Sequence, residues 1–252
     1  MVARLYTLSL SHPGMASRLA LEHKEVEHEV VELLPGLHPI VVRGLGFGAA
    51  TVPALRIDGI RVQGSLAITQ YLESTRPDPP LYPSEPLEHA AVAEAERWGE
   101  SVLQPIPRRI FRFVATHSQA VRRWMVTEVV GMPLPGITAA ANKPVAAVMG
   151  RIAGADEPRI RADLAALPGL LDQVESLIEQ GTIGGQRPNA ADLQIFSSIR
   201  SLASFADLAP IMADRPATLA AARLVPPFPG PVPATLPRGW FDQAQAVDRF
   251  AR

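Results

Sequence analysis

The stretch from Thr51 to Leu72, TVPALRIDGIRVQGSLAITQYL, constrains this chain more than any other. Asp58-Gly59 separates two short apolar-rich runs, Val52–Ile57 and Ile60–Gln63. An Asp-Gly pair in that setting marks a tight hairpin, because both turn residues must tolerate positive φ. A helix follows from Ser65, whose hydroxyl is expected to cap it. Ala67 with Tyr71 and Ile68 with Leu72 give that helix two i,i+4 apolar pairs on its inner side. Pro53 cannot donate to a sheet ladder, so it belongs at the start of the strand or at an edge. The bond preceding it can be cis, which would turn the backbone groups of Val52 outward.

The residues before the hairpin alternate strand and helix signals. Arg4–Leu8 reads as a strand and Ser9–Gly14 as a turn. A helix then runs to about Lys24, with Met15, Leu19 and Leu21 toward the core, and Glu29–Leu34 is the next strand. Strand, helix and strand at this spacing form a βαβ unit with parallel strands. Pro35–Ala50 reads as a loop with at most one irregular helix. Its Gly44, Gly46 and Gly48 have the look of a phosphate cradle, but no Lys-Ser/Thr follows and no helix opens there. A loop bordering a ligand is the expectation.

Beyond residue 76 the pattern changes. Arg76–Pro86 carries five prolines and reads as a rigid linker, set at 77–86. Ala91, Ala95, Trp98 and Val102 then suggest one helical face, and Pro105 and Pro107 should interrupt a helix that resumes through Arg123. Gly131–Gly150 is read as an irregular connection ending in a short helix, or as a lid over an apolar substrate. Leu171, Val174 and Ile178 space a helix that ends before Gly181. Asn189-Ala-Ala-Asp192 has the form of a capping box opening an amphipathic helix marked by Leu193, Phe196, Ile199 and Leu202. Pro226–Pro237 holds six prolines and reads as an extended tail, with Trp240 and Phe241 anchoring a C-terminal helix.

Composition narrows the functional classes. The net charge of −1 gives no global field to recruit nucleic acid or an acidic membrane. Zero cysteines exclude disulfides, thiolate metal sites and a protein thiol nucleophile. The six histidines show no metal-ligand spacing, so no metal is expected. No leader or membrane span is read, which makes a cytoplasmic location the expectation. The excess of Ala, Arg and Pro over Lys suggests a GC-rich genome.

Val52-Pro53, a hairpin and then Ser-Leu-Ala-Ile-x-x-Tyr-Leu resemble the glutathione transferase superfamily. The segment Ser11-His12-Pro13-Gly14-Met15-Ala16-Ser17-Arg18-Leu19-Ala20-Leu21 is similar to the serine-type, tau/zeta-like pattern of that superfamily. The resemblance is strongest over residues 1–75, with the Asn189–Asp192 box as a second anchor. It implies an α/β plus all-α chain: a thioredoxin-like domain (βαβ-ββα) over 1–76, and an all-helical substrate and dimer domain over 87–252 that includes the tail 226–237. It also implies a homodimer, a detoxifying role, Ser11 as the hydroxyl that activates a thiol, and Val52, Pro53 and Ser65 as contacts of the thiol peptide. One position departs from the pattern: Gly64 stands where an acidic residue or Gln usually binds the γ-glutamyl end, and Gln63, one place too early, is the candidate to substitute for it if the turn is shifted, unless another thiol is used.

The chemistry these residues suggest is simple. A helix N-terminus carries about half a positive charge, so it favours an anion beside it. A hydroxyl donating to a bound sulfur there stabilises the thiolate, which attacks an electrophile. Ser11 is also placed to be an ordinary helix cap, and Ser9 is the alternative hydroxyl. His12 would tune Ser11 or bind an anionic substrate, or would be a solvated loop histidine. Tyr6 reads as core. Arg108, Arg109 and Arg112 would meet a carboxylate, or form a solvated basic face. The function implied is activation of glutathione, or of another low-molecular-weight thiol such as mycothiol, for attack on or isomerisation of an apolar electrophilic small molecule. The rival readings are a non-catalytic interaction module of the same fold and an apolar-ligand carrier using Gly131–Gly150.

Overall fold

A computed structural model describes residues 2–241 of the chain. Four strands, β1 (Ala3–Thr7), β2 (His28–Glu32), β3 (Ala54–Ile57) and β4 (Ile60–Gln63), form one sheet in the order β2-β1-β3-β4. β1 and β2 are parallel, with Leu5 beside Val30, and the other neighbours are antiparallel. Helices α1 (His12–His23) and α3 (Ser65–Thr75) cover the sheet face carrying Leu5, Leu55 and Ile57. The opposite face carries Tyr6 and Ala54. It packs on Phe47 and on Val42 of α2 (His38–Gly44), a regular short helix where the sequence suggested only an irregular one. Tyr6 meets Phe47 edge-on at 6.0 Å, a core residue as expected.

The turn at Asp58-Gly59 has positive φ at both residues. The Val52–Pro53 bond is cis. Ser65 is not the cap of α3: Gly64 occupies that position with φ 94°, and Ser65 is the first helical residue. A side chain at Gly64 would be strained there by the left-handed backbone.

The linker is held down rather than merely stiff. The Lys24 side chain, 0% exposed, pairs with Glu73 and donates to the carbonyls of Pro77 at 3.2 Å and Pro79 at 2.7 Å. Glu73 also accepts from the Leu81 amide at 3.0 Å. Leu81 and Tyr82 are buried as a result.

The second unit is helical: α4 (Pro86–Trp98), α5 (Pro105–His117), α6 (Gln119–Trp124), α7 (Pro135–Ala141), α8 (Lys143–Ile152), α9 (Glu157–Glu179), α10 (Ala190–Leu202), α11 (Ala209–Met212) and α12 (Pro216–Leu224). A π-helical turn, Gly99–Leu103, separates α4 from α5, where Pro105 offers no amide to continue the ladder. The buried face of α4 is Val92, Ala95 and Glu96, continued by Gly99 and Leu103. The face expected from the sequence is therefore shifted, with Ala91 and Val102 exposed. α5 ends at His117, and Ser118 caps a separate α6 by accepting from Val121 N–H at 3.3 Å. Gly131–Gly150 contains two ordered helical segments rather than one irregular connection.

The capping box is complete. Asn189 Oδ1 accepts from the Asp192 amide at 3.1 Å, and Asp192 Oδ2 accepts from the Asn189 amide at 2.8 Å. Asp192 Oδ1 also takes the Gly184 amide at 2.6 Å. Burial still holds this carboxyl above the usual range, at about 6. The helix behind the box is not amphipathic as expected: Gln194, Ser197, Ser198 and Ser201 are buried with its apolar residues. α10 packs against α1, α4 and α12. One continuous core thus runs from Leu5 and Leu21 through Phe196 to Phe228.

The proline-rich segment packs along the surface. Phe228, Val232 and Leu236 are buried, Val232 bridges Phe205, and Asp207 accepts from the amides of Thr235 at 2.8 Å and Leu236 at 3.1 Å. Trp240 lies under Arg161 at 4.7 Å and beside Phe113. The helix expected after Phe241 lies outside the described residues. Among the described residues no helix is long and apolar enough to cross a membrane.

Candidate active site

A cleft of about 560 Å³ opens between the sheet unit and the helical unit. The loop after β1, the start of α1, the turn before β3 and the start of α3 form one wall; α5, α8 and the Phe205–Val232 region form the other. Ser9, Ser11, His12, Val52, Pro53, Gly64 and Ser65 all line it, so the structure brings together every residue the motifs singled out except Gln63.

Gln63 is turned away. Its amide nitrogen donates to the carbonyls of Ala49 at 2.9 Å and Thr51 at 2.6 Å, and its oxygen accepts from the Ala49 amide at 2.8 Å. It ties the preceding loop to β4, which fixes the approach to Val52. Gln63 therefore does not stand in for the carboxylate or amide missing at Gly64.

Ser11 and Ser65 share one arrangement. Ser11 caps α1, its Oγ accepting from Gly14 N–H at 3.1 Å. Among the described residues its own proton has no acceptor, so the hydroxyl stays free to donate. A Cβ at residue 14 would lie 1.8 Å from Thr7 Oγ1 and 3.0 Å from Ser11 Oγ, so only glycine lets the chain pass this close to the hydroxyl. Ser65 Oγ accepts from Gln104 Nε2 at 3.1 Å. The orientation of that amide is fixed, because its oxygen faces Arg108 Nη2 at 3.1 Å and a guanidinium can only donate. The Ser65 proton is likewise left over. Ser9 differs: its hydroxyl donates to Glu32 at 2.6 Å.

His12 is neither solvated nor charged. It is buried, and its Nε2 donates to the Gln104 carbonyl at 2.9 Å, which sets the tautomer. Burial, with Arg108 adding to it, holds its pKa at about 3, so it is neutral throughout the physiological range. Gln104 thus touches both His12 and Ser65 and joins the two units at the cleft. Sequence reasoning missed it. The one signal was its place immediately before Pro105, where a helix must restart.

The arginines divide. Arg109 is outside the cleft in a bidentate pair with Asp163, at 2.7 and 2.6 Å. Arg108 and Arg112 line the cleft with Arg122. Arg122 is buried and donates to the carbonyls of Ala139 at 2.9 Å, Ala115 at 2.8 Å and Thr116 at 3.0 Å, locking α6 to α5 and α7. Among the described residues none of these three makes a salt bridge. Glu100, whose pKa burial raises, is the one acid lining this cleft among the described residues. No group of acidic, histidine or cysteine side chains suited to a metal ion occurs among the described residues.

Residues 5–80 match the family model described as "Glutathione S-transferase, N-terminal domain". Over 110 residues the chain is 36% identical to the maleylacetoacetate isomerase of Rattus norvegicus, a match covering 40% of this chain. The chain spans about half the length of the curated relatives it matches most strongly, 49% in this case. Among solved structures, a glutathione S-transferase from Rhodospirillum rubrum superposes with a TM-score of 0.60 at 20% identity, covering 96% of this chain and 99% of its own. A glutathione S-transferase from Methylobacterium radiotolerans, solved with glutathione sulfonate, gives 0.52 at 21% identity, covering 94% and 98%. The match to that family model thus falls on the N-terminal unit, and the chain as a whole has the glutathione S-transferase fold, a thioredoxin-like unit followed by a helical one.

Proposed function

We propose that this chain is a thiol-dependent transferase or isomerase that activates glutathione, or another low-molecular-weight thiol, for attack on a small electrophile. The observation that carries this reading is the paired arrangement of Ser11 and Ser65. Each hydroxyl takes a hydrogen bond from the protein and keeps its proton for a ligand in the same cleft. With the sulfur at Ser11, the O–H stabilises the thiolate and the first-turn amides of α1 add positive potential. The thiol proton leaves to solvent through the open cleft, and the sulfur attacks an electrophile lying against α5 and α8. Addition to an activated double bond, with a solvent proton taken up at the adjacent carbon, gives a conjugate; addition, rotation about the former double bond and expulsion of the thiolate gives an isomer. The similarity to maleylacetoacetate isomerases favours keeping isomerisation within the proposal.

The backbone of Val52 is the proposed partner of the thiol peptide's main chain, and Ser65 of its γ-glutamyl carboxylate. With Gly64 bare and Gln63 engaged elsewhere, the amino group of glutathione has no side-chain partner from these two positions. The identity of the thiol therefore belongs to the test. Turnover of an electrophilic substrate with glutathione, with amine-blocked glutathione and with mycothiol is compared in the wild type and Ser11→Ala. Turnover with one of these thiols that collapses in Ser11→Ala supports the enzyme. No thiol turnover at all would favour the interaction module instead. A homodimer, a cytoplasmic location and a detoxifying role belong to the same proposal.

A further inference from the structure

The wall of the cleft facing the serines carries a cation that nothing in the fold explains. Arg109 is paired with Asp163, Arg122 is satisfied by three carbonyls, and Arg108 donates to Gln104 with Glu100 nearby. Arg112 has none of this. It is partly buried on the cleft side of α5, and among the described residues its guanidinium makes no hydrogen bond or salt bridge. Burial, with Arg108 of the same sign adding to it, lowers its proton affinity. Holding a cation in such a place is unfavourable unless an anion completes it.

A second, independent feature lies in the same cavity. His38, the first residue of α2, is 4% exposed and lines the cleft, and its Nδ1 is buried without a partner. Buried polar atoms are normally hydrogen-bonded, yet among the described residues neither nitrogen of this ring has a partner. Arg112 lines the same cavity as His38, and its charge adds to burial in lowering the proton affinity of the ring. The surroundings are mainly apolar: Phe111, Val145, Met149 and Ile152 line the same cavity.

We propose that Arg112 and His38 form a carboxylate-binding subsite, and that the substrate is an electrophile carrying a carboxylate on an apolar body. The planar fork of Arg112 suits two carboxylate oxygens. The other ring nitrogen of His38, Nε2, which is not among the fully buried atoms, donates to one of them in its Nε2–H tautomer. The assignment rests on the reading of the cleft as the place where the thiol meets its electrophile, and it deepens that reading by naming the substrate class.

The test is binding by calorimetry, without thiol, of octanoate against octanol, which differ in charge and little in size. Octanoate should bind the wild type measurably tighter than octanol. Arg112→Gln should weaken octanoate at least ~tenfold and leave octanol unchanged, as expected for loss of a charge-assisted pair. Arg112→Lys should recover part of the loss, which separates charge from a folding defect. His38→Phe should weaken octanoate as well. Equal binding of acid and alcohol, or no effect of Arg112→Gln, would overturn the proposal. So would competition between octanoate and glutathione, which would assign the carboxylate to the thiol; additive binding of the two supports the electrophile. Because these measurements need no turnover, they can fail or succeed independently of the Ser11 test.

Discussion

The two walls of the cleft are built in different ways. On the sheet side, each placed group follows from its near neighbours in sequence. Ser11 sits where α1 needs a cap, Val52-Pro53 opens the hairpin, and Gly64-Ser65 turns a strand into a helix. On the helical side, Arg112 of α5 and Gln104 at its start are placed by the packing of α5 on α8, and they come to the cleft beside Ser65 and His38 of the sheet unit only through that packing. The first wall offers hydroxyl protons in fixed directions; the second offers positive potential and apolar surface. Local backbone geometry is suited to aligning one reacting atom. Tertiary packing is suited to shaping a pocket around a substrate, and it can change without disturbing the first wall.

Breaking the sheet-side wall should have the largest effect. Ser11→Ala is expected to lower thiol turnover by about 10²–10³-fold, the usual loss when one aligned donor to a developing anion is removed. It should also cost ~0.5–2 kcal/mol of stability through the lost cap. Ser11→Asn keeps a cap acceptor and removes the hydroxyl, so it should lose the same turnover with a smaller change in melting temperature. Equal activity of Asn and Ser at this position would reduce Ser11 to a cap.

Uncoupling the two walls should have a smaller effect. Gln104→Leu leaves Ser65 without its donor and Arg108 without its acceptor while the His12 contact to the main chain persists. A rise of about tenfold in KM for the thiol, with kcat nearly constant, is expected for a binding hydroxyl released from its orientation. An unchanged KM would show that the walls act independently.

Changes in the shared scaffold should move stability and neither wall. Glu96 is buried, accepts a short hydrogen bond from Tyr82, and has a second oxygen without a partner. Burial raises its pKa to about 7 from the ordinary 4.5. The folded protein therefore keeps a proton that the unfolded chain has already released between those values. Stability is highest below that window and falls as pH rises through it, by up to ~3 kcal/mol. Thermal melts across this range should lose that slope in Glu96→Gln; an unchanged slope would place the titration elsewhere. The smallest effect is expected at Ser9. Its proton already belongs to Glu32, so Ser9→Ala should change turnover by no more than about twofold, within the range of a peripheral contact. A loss matching that of Ser11→Ala would reverse the assignment of the two serines.

The same contrast explains what could be read from the residues alone. The hairpin, the βαβ unit, the capping box and the serines all rest on short-range rules: positive φ at Asp58-Gly59, a cap before α1, reciprocal bonds between Asn189 and Asp192. The misreadings arose where distant packing decides. Ser65 looked like a cap because caps and ligand-binding serines are the same residue type, and the left-handed backbone of Gly64 settles which it is. Gln63 looked available because the loop it holds lies some distance back in the chain. α10 looked amphipathic from its apolar residues, yet α1, α4 and α12 pack around it and bury its serines as well. His12 looked like a loop residue because the helix that buries it lies in the other unit.

The most direct test of the account is the acidity of the bound thiol. The ultraviolet absorbance of the thiolate is titrated with pH for the tightest-binding thiol held by the wild type and by Ser11→Asn, with binding verified separately in each. The account predicts that the bound thiol ionises well below its free pKa in the wild type, and that most of this shift disappears when the hydroxyl is removed and the cap retained. A bound thiol that titrates identically in both proteins would contradict it.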